Sequence, residues 1–550
     1  MLDKYYINDK AYVFENKNIS YNCTLNQTDI VKNQNKYYII QLINDDSIKK
    51  YVVWTRYGRV GEKGRTGRKE FDDREKAIGE FCKIYKDKTA NIWDTNDKDK
   101  TYKSFVKKKG KYNLCIKEES NDTVANEIII LNNAINQQAN TKENKADKVD
   151  KEDLVDKEEL VDKEELVDKE ELVDKEEIKE IEDKNRDGEV NDKVMVLLRL
   201  ISNKNRMMEA MTDIDIDIKK LPLGKISNEQ LKKGFEILQN ISINFDKMTD
   251  DEWMEKSNEF YTLIPVDNGR NRLPCLNNKE LLCKCADKLK LLCDLHNANL
   301  LFSSTSHNYF YNIYSKLYCD IKPLEIGDDM YNIISQAVKN THAPSHSNYN
   351  IELLNVFSVL RKGEDLRYQP FEQCSNRRLL FHGSSNVNFL SILRGRSSGI
   401  SVGGYGFDTN GDGGLRISPP GVYISGAMFG NGVYLANSIS KSANYCRTNK
   451  NNNVGCVLLC EAALGNSYAL TNAKYITELP NSYQSVWGQG KYIPNPQNDK
   501  VLSNGSSISL GKMINSPSIY SSSLLYDEFI VKDISRIQIK YLLMVKFNYH

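Results

Sequence analysis

Four cysteines, Cys275, Cys283, Cys285 and Cys293, fall within nineteen residues, and His296 follows them; a soft-ligand metal site is the first chemistry this set could perform. Structural zinc takes paired C-x2-4-C knuckles carried on turns. Here Cys283, Cys285 and Cys293 lie in a helical pattern in which Cys283 and Cys285 point to different faces, so the spacing argues against a metal. The glycines of YGRVGEKGRTGR and GGYGFDTNGDGG match neither G-x-x-x-x-G-K-[ST] nor a strand followed by G-x-G-x-x-G and a helix, which excludes a phosphate loop and a Rossmann fingerprint. The six histidines are scattered without an H-E-x-x-H, and His382 taken alone reads as a structural residue. Twelve cysteines in 550 residues are too dilute for a disulfide scaffold; most, like Cys456 and Cys460 in VGCVLLCEA, read as reduced core thiols.

The elements that must position any site fall into several pieces, since 550 residues imply about three to four domains. No apolar run approaches the roughly 18 residues needed to span a bilayer, and MLDKYYINDK lacks the apolar core of a secretory signal, so the expectation is a soluble, intracellular protein without a membrane partner. A net charge of +1 hides segregation: residues 49–117 carry 21 Lys/Arg against 10 Asp/Glu, and residues 118–189 carry 11 against 26. The acidic stretch contains a tandem hexapeptide, LVDKEE, starting at Leu154, Leu160, Leu166 and Leu172. Six residues advance a helix by about 600°, so successive leucines point about 120° apart and form no seam. The reading is a solvated, disordered tether. Before it, residues 36–60 give two alternating aromatic and β-branched runs around a polar turn, the pattern of a hairpin. Residues 73–93 then place Ala77, Ile78, Phe81, Ile84 and Tyr85 at helical spacing. After the tether, VMVLLRLIS, NEQLKKGFEILQNIS and ELLCKCADKLKLLCDLHNANLLF are amphipathic helices, and from about residue 345 short apolar runs alternate with Gly, Ser and Asn loops, as in a β-rich domain.

Support for His382 comes from three segments taken together: LLFHGSSNVNF (379–389), FGNGVYLANSISKSANYC (429–446) and SLLYDEFIVKD (523–533). They resemble the signature of the poly(ADP-ribose) polymerase catalytic domain, whose His, Tyr, Glu triad falls on His382, Tyr434 and Glu528. LPLGKISNEQL, NEFYTLIP and VKNTHAPSH resemble the family's helical regulatory domain and its junction with the catalytic domain. Residues 36–117 resemble a WGR domain, the DNA-sensing module of the DNA-dependent members, with Trp54, Tyr57 and Arg59 as its DNA-binding residues; Tyr57 stands where the family has the motif's tryptophan.

The resemblance implies NAD⁺ as substrate, with no metal or prosthetic group. Breaking the bond to nicotinamide passes through an oxocarbenium-like transition state, which calls for clamps on nicotinamide and riboses and a carboxylate at the reacting sugar. On the family pattern the Gly383 backbone grips the carboxamide, Ser442 adds a hydroxyl, and Tyr434 and Tyr445 sandwich the pyridinium ring. His382 bonds the adenosine ribose, with Ser384, Asn388 and Arg416 around that half. Glu528 holds the nicotinamide ribose and polarises the incoming hydroxyl, with Lys441 as its partner. Residues 395–414, with eight glycines, read as a mobile insertion ahead of the loop over the donor site.

The expected organisation is multidomain α+β: an N-terminal tail (1–35), a WGR domain (36–117), the acidic tether (118–189), a helical regulatory domain (190–325) and a catalytic domain (326–550). The implied function is a nuclear, DNA-break-stimulated poly(ADP-ribose) polymerase of DNA damage repair, modifying acceptor proteins including itself. The rivals are a mono(ADP-ribosyl)transferase, which commonly lacks the glutamate present here at Glu528, and a non-enzymatic DNA-end adaptor.

Overall fold

In a computed structural model, the chain is described at residues 2–16, 19–115, 190–203, 206–207, 209, 227–299, 301, 309–395, 414–418, 422–423, 426–519 and 521–550. The acidic tether and nearly all of the glycine-rich insertion lie outside these residues.

Ala11–Val13 (β1), Asn22–Asp29 (β2), Gln34–Asp45 (β3), Lys50–Arg59 (β4), Arg65–Phe71 (β5) and Asn113–Cys115 (β6) form one antiparallel sheet in the order β5-β4-β3-β2-β6, with β1 also on β3. The expected hairpin is β3 and β4, in register from Lys36 opposite Arg59 to Asp45 opposite Lys50. Arg74–Thr89 (α1) starts where the Asp73 carboxylate accepts from the Lys76 amide, and it buries Ala77, Ile78, Phe81 and Tyr85 against Tyr21, Leu25 and Ile40. Residues 1–35 are therefore not a tail: β1 and β2 belong to this sheet, and Asp3 is buried in an ion pair with Arg56.

The helical region comprises Asp192–Ile201 (α2), Asn228–Ile243 (α3), Asp250–Leu263 (α4), Lys279–Asn299 (α5) and Tyr309–Leu317 (α6). Capping boxes at Ser227/Gln230 and Thr249/Glu252 open α3 and α4 by pairing orphan amides. Leu231, Phe235, Leu238, Phe260, Leu282 and Leu289 make a core among α3, α4 and α5. By contrast, α2 buries Val194, Leu197, Leu198 and Ile201 among Phe389, Leu393 and Leu542 of the carboxyl-terminal region. The helical block also ends earlier than residue 325. Cys319–Pro323 (β7) is an edge strand paired with Tyr349–Arg361 (β8), Ile321 opposite Val359.

Besides the two-stranded pair Tyr492–Pro494 and Met513–Asn515, the described residues after Asp329–Asn340 (α7) build two sheets with β7 and β8. Their strands are Arg377–Gly383 (β9), Val433–Leu435 (β10), Val454–Ala463 (β11), Ser467–Leu470 (β12), Ser485–Gly488 (β13), Lys500–Val501 (β14), Ser507–Ile508 (β15), Glu528–Val531 (β16) and Ile537–Tyr549 (β17). The larger sheet runs β14-β15-β9-β11-β17-β8-β7 and the smaller β10-β16-β13-β12. Leu380, Leu458, Cys460 and Leu542 of one meet Leu435, Phe529 and Val531 of the other, and a bridge between Phe381 and Ala436 ties β9 to the end of β10. The short helix Ile439–Ala443 (α8) follows. All twelve cysteines are free, and eight of them are buried. Among the described residues no helix is long and apolar enough to cross a membrane.

Candidate functional site

The site forms where the two sheets meet, because β9 ends against β10 and α8. Gly383 is required there: a Cβ would fall on the Ser442 carbonyl oxygen. The Ser442 hydroxyl donates to the Phe381 carbonyl at 2.9 Å, closing α8 onto β9.

His382 lies 2.8 Å through Nδ1 from the Tyr434 carbonyl oxygen. A carbonyl only accepts, so Nδ1 carries the hydrogen and Nε2 presents a lone pair. Loss of water around the ring, with Lys290 of α5 adding to the effect, lowers its pKa to about 4 against the partial support of that hydrogen bond, and the imidazole is neutral at physiological pH. Tyr434, opposite Ile530 in the β10–β16 pairing, donates its hydroxyl to Gly430 O at 2.8 Å and accepts from Phe429 N at 2.9 Å. Burial raises its pKa well above the ordinary phenol range.

Glu528, the first residue of β16, is 5% exposed, and its Oε1 lies 2.5 Å from Lys441 Nζ on α8. His382, Gly383, Tyr434, Lys441, Ser442 and Glu528 thus gather at one junction. Tyr445, two residues beyond α8, is 55% exposed. Asn388 donates to Ser384 Oγ at 3.0 Å, just past Gly383.

Arg416 reaches this flank from a different direction. Its guanidinium donates to Ser391 Oγ at 2.9 Å and to Asp294 Oδ1 of α5 at 3.1 Å. Asp294 is buried, and desolvation raises its carboxyl pKa despite the arginine. The segment following Arg416 is also held by helices: Val422 is buried in the α3–α5 core, and the Tyr423 ring lies 5.8 Å from Phe245, with Lys279 Nζ 5.2 Å from its centroid.

The three amino-terminal candidates are not presented alike. Trp54 is 8% exposed and packs edge-on against Tyr6 at 5.1 Å, so it is a core residue rather than a surface contact. Tyr57 is 38% exposed and stacks on Tyr38. Arg59 donates to the carbonyls of Gly269 at 2.5 Å and Asn271 at 2.9 Å in the helical region, and to Asn33 beside it.

Three neighbours of the site escaped sequence reasoning. Asp294 looked like one more charge on an amphipathic helix. Asp527 accepts from Asn437 Nδ2 at 3.0 Å and from Gly490 N at 2.8 Å, tying the start of β16 to the turn that opens α8; burial raises its pKa to about 6. Lys532 lies just past β16 with its ammonium group turned inward onto backbone carbonyls. Only a charged residue at either end of the apolar strand segment hinted at the last two.

The sequence profile of the poly(ADP-ribose) polymerase catalytic domain matches residues 328–403 and 411–547, that of the poly(ADP-ribose) polymerase regulatory domain residues 189–318, and that of the WGR domain residues 21–100. Poly [ADP-ribose] polymerase 1 of Gallus gallus is 34% identical across 99% of this chain and 47% of its own length. Poly [ADP-ribose] polymerase of Drosophila melanogaster is 31% identical over the same share of each chain. Poly [ADP-ribose] polymerase 2 of Arabidopsis thaliana is 31% identical across 99% of this chain and 76% of its own length. The chain therefore spans about half the length of the first two relatives and about three quarters of the third.

Proposed function

The chain belongs to the poly(ADP-ribose) polymerase family, and from that membership we propose that it cleaves NAD⁺ and transfers ADP-ribose to protein acceptors, itself included, and to growing ADP-ribose chains when DNA is broken. The observation that carries this reading is the pair of half-buried Lys441 with buried Glu528 beside the Gly383, Ser442 and Tyr434 cluster.

In this reading Gly383 and Ser442 hold the nicotinamide carboxamide, and Tyr434 and Tyr445 flank the ring. The neutral His382 accepts a ribose hydroxyl at Nε2, a role supported by its Nδ1–H bond to the Tyr434 carbonyl. As the glycosidic bond lengthens, positive charge grows on the sugar, and in this reading Glu528 stabilises it and polarises an incoming hydroxyl. Lys441 orients that carboxylate. Ser384, Asn388 and Arg416 take the adenosine half.

Restraint by the helical region is supported by Arg416, which is engaged by Asp294 of α5, and by the Val422–Tyr423 segment, which is packed into the helices. An open state would release both, and DNA would bias the equilibrium toward it. The proposed route from DNA runs through the basic WGR domain to the helices. It is supported by Arg59 and by Asn26, whose amide donates to Thr262 O at 2.9 Å. DNA breaks as the trigger and the nucleus as the working compartment belong to the same proposal. It is tested by incubating the full chain with labelled NAD⁺, with and without a nicked duplex: DNA-dependent transfer supports it, and absence of any NAD⁺ consumption rejects it.

A further inference from the structure

Lys532 follows β16 directly, and its ammonium group reaches under the segment leading into β10. It donates to the carbonyl oxygens of Asn431 at 2.8 Å, Ile476 at 2.8 Å and Phe429 at 3.4 Å. Burial alone pushes its pKa down to about 8, with no ionised group among the described residues offsetting the charge. A cation half-buried without a counter-ion is costly unless its N–H groups find acceptors, and an ammonium has three to match three carbonyls. The gripped backbone is itself tightly pressed. Gly430 has φ +83, and a Cβ there would strike the Ile476 carbonyl oxygen. The same backbone orients Tyr434, whose hydroxyl donates to Gly430 O and accepts from Phe429 N.

Resting on the polymerase reading, in which Tyr434 forms one face of the nicotinamide slot, we propose that Lys532 is a positioning residue for that slot: its hydrogen bonds clamp residues 429–431 to Ile476 and so fix the Tyr434 ring. The clamp depends on the third N–H. On losing a proton the amine keeps two donors and turns a lone pair toward the remaining carbonyl, so the grip weakens as pH rises through about 8. The titratable groups on the packed segments are Tyr434 on β10, Lys474, Tyr475 and Glu478 around Ile476, and Asp533 beside Lys532. Burial raises both Tyr434 and Tyr475 above the ordinary phenol value, so neither tyrosine ionises in the same window.

The test is initial-rate NAD⁺ turnover by the full chain with a nicked duplex, for wild type, Lys532→Gln and Lys532→Met, alongside thermal melting. For one proton lost near pH 8, the wild-type KM for NAD⁺ should rise by up to about tenfold between about pH 7 and about pH 9, while kcat changes by less than about threefold. Lys532→Gln offers two donors and has no proton to lose; its KM should match that of the deprotonated wild type, raised by up to about tenfold, and stay flat with pH. Lys532→Met should show a KM raised about tenfold at every pH. If the methionine variant fails to fold, the glutamine arm decides. A flat wild-type KM, a Lys532→Gln KM that still climbs with pH, or a folded Lys532→Met enzyme with the wild-type KM would overturn the assignment while leaving the polymerase reading in place. Absence of turnover by the wild type would overturn both.

Discussion

At His382 the imidazole loses its water without gaining a carboxylate, and its pKa falls to about 4. In the unfolded chain the same ring binds a proton below about 6.5, so between these values the unfolded state holds more protons than the folded one. Stability from this residue is therefore intact above about pH 6.5 and lost as pH falls toward 4, by roughly 3 kcal/mol at the limit. His382→Gln should flatten the acid side of the stability curve, which denaturant melts at about pH 5 and about pH 7 would reveal. Asp294 offers a second residue-scale test. If its pair with Arg416 contributes about 1.4 kcal/mol to the closed state, Asp294→Ala raises DNA-independent activity about tenfold while DNA-stimulated activity changes little. Unchanged basal activity in a folded variant would mean that the pair restrains nothing.

Elements were legible where a pattern is local. The β3–β4 hairpin and α1 follow from alternation and helical spacing, and the helices α2, α3 and α5 from amphipathic runs. The strand β2, NCTLNQTD, was hidden because its polar residues are buried for a non-local reason: Asn26 and Thr28 bond to residues 261 and 262 of the helical region, which no local periodicity records. β7 was absorbed into the helical block because it is a five-residue edge strand that follows α6 directly. In the site, the triad segments were readable as motifs, whereas the roles of Asp527 and Lys532 arise from partners 37 to 103 residues away in sequence. A test at the same scale concerns the clasp on the donor loop. Tyr423→Ala removes ring contacts with Phe245 and Lys279 on the helical side, and its basal activity should rise several-fold without loss of maximal activity. Equal basal rates in variant and wild type would leave restraint to the Asp294–Arg416 pair.

For the whole molecule the helical region acts as a joint. It receives the amino-terminal sheet through Asn26, Asn35 and Arg59, and it holds the catalytic flank through Asp294, Val422 and Tyr423. Holding basal activity near 1% needs roughly 2.7 kcal/mol favouring the closed arrangement. Deleting the restraint cleanly means leaving α2 in place, since Val194, Leu197 and Leu198 are part of the catalytic core. Arg59→Ala should uncouple DNA binding from activation: affinity for a nicked duplex, salt-dependent through the basic module, falls by a few-fold, while stimulation drops about tenfold or more. Full stimulation in that variant would remove Arg59 from the route. The central claim is that one carboxylate, paired with Lys441, serves both the donor sugar and the incoming hydroxyl. The most direct measurement is product length on a gel, with NAD⁺ affinity, for wild type and Glu528→Gln in the presence of nicked DNA. Removal of general-base help typically costs 10² to 10⁴-fold, about 3 to 5 kcal/mol of barrier. The wild type should give a long ladder and Glu528→Gln at most single units with NAD⁺ affinity retained, whereas His382→Ala weakens affinity itself; long polymer from Glu528→Gln would contradict the account.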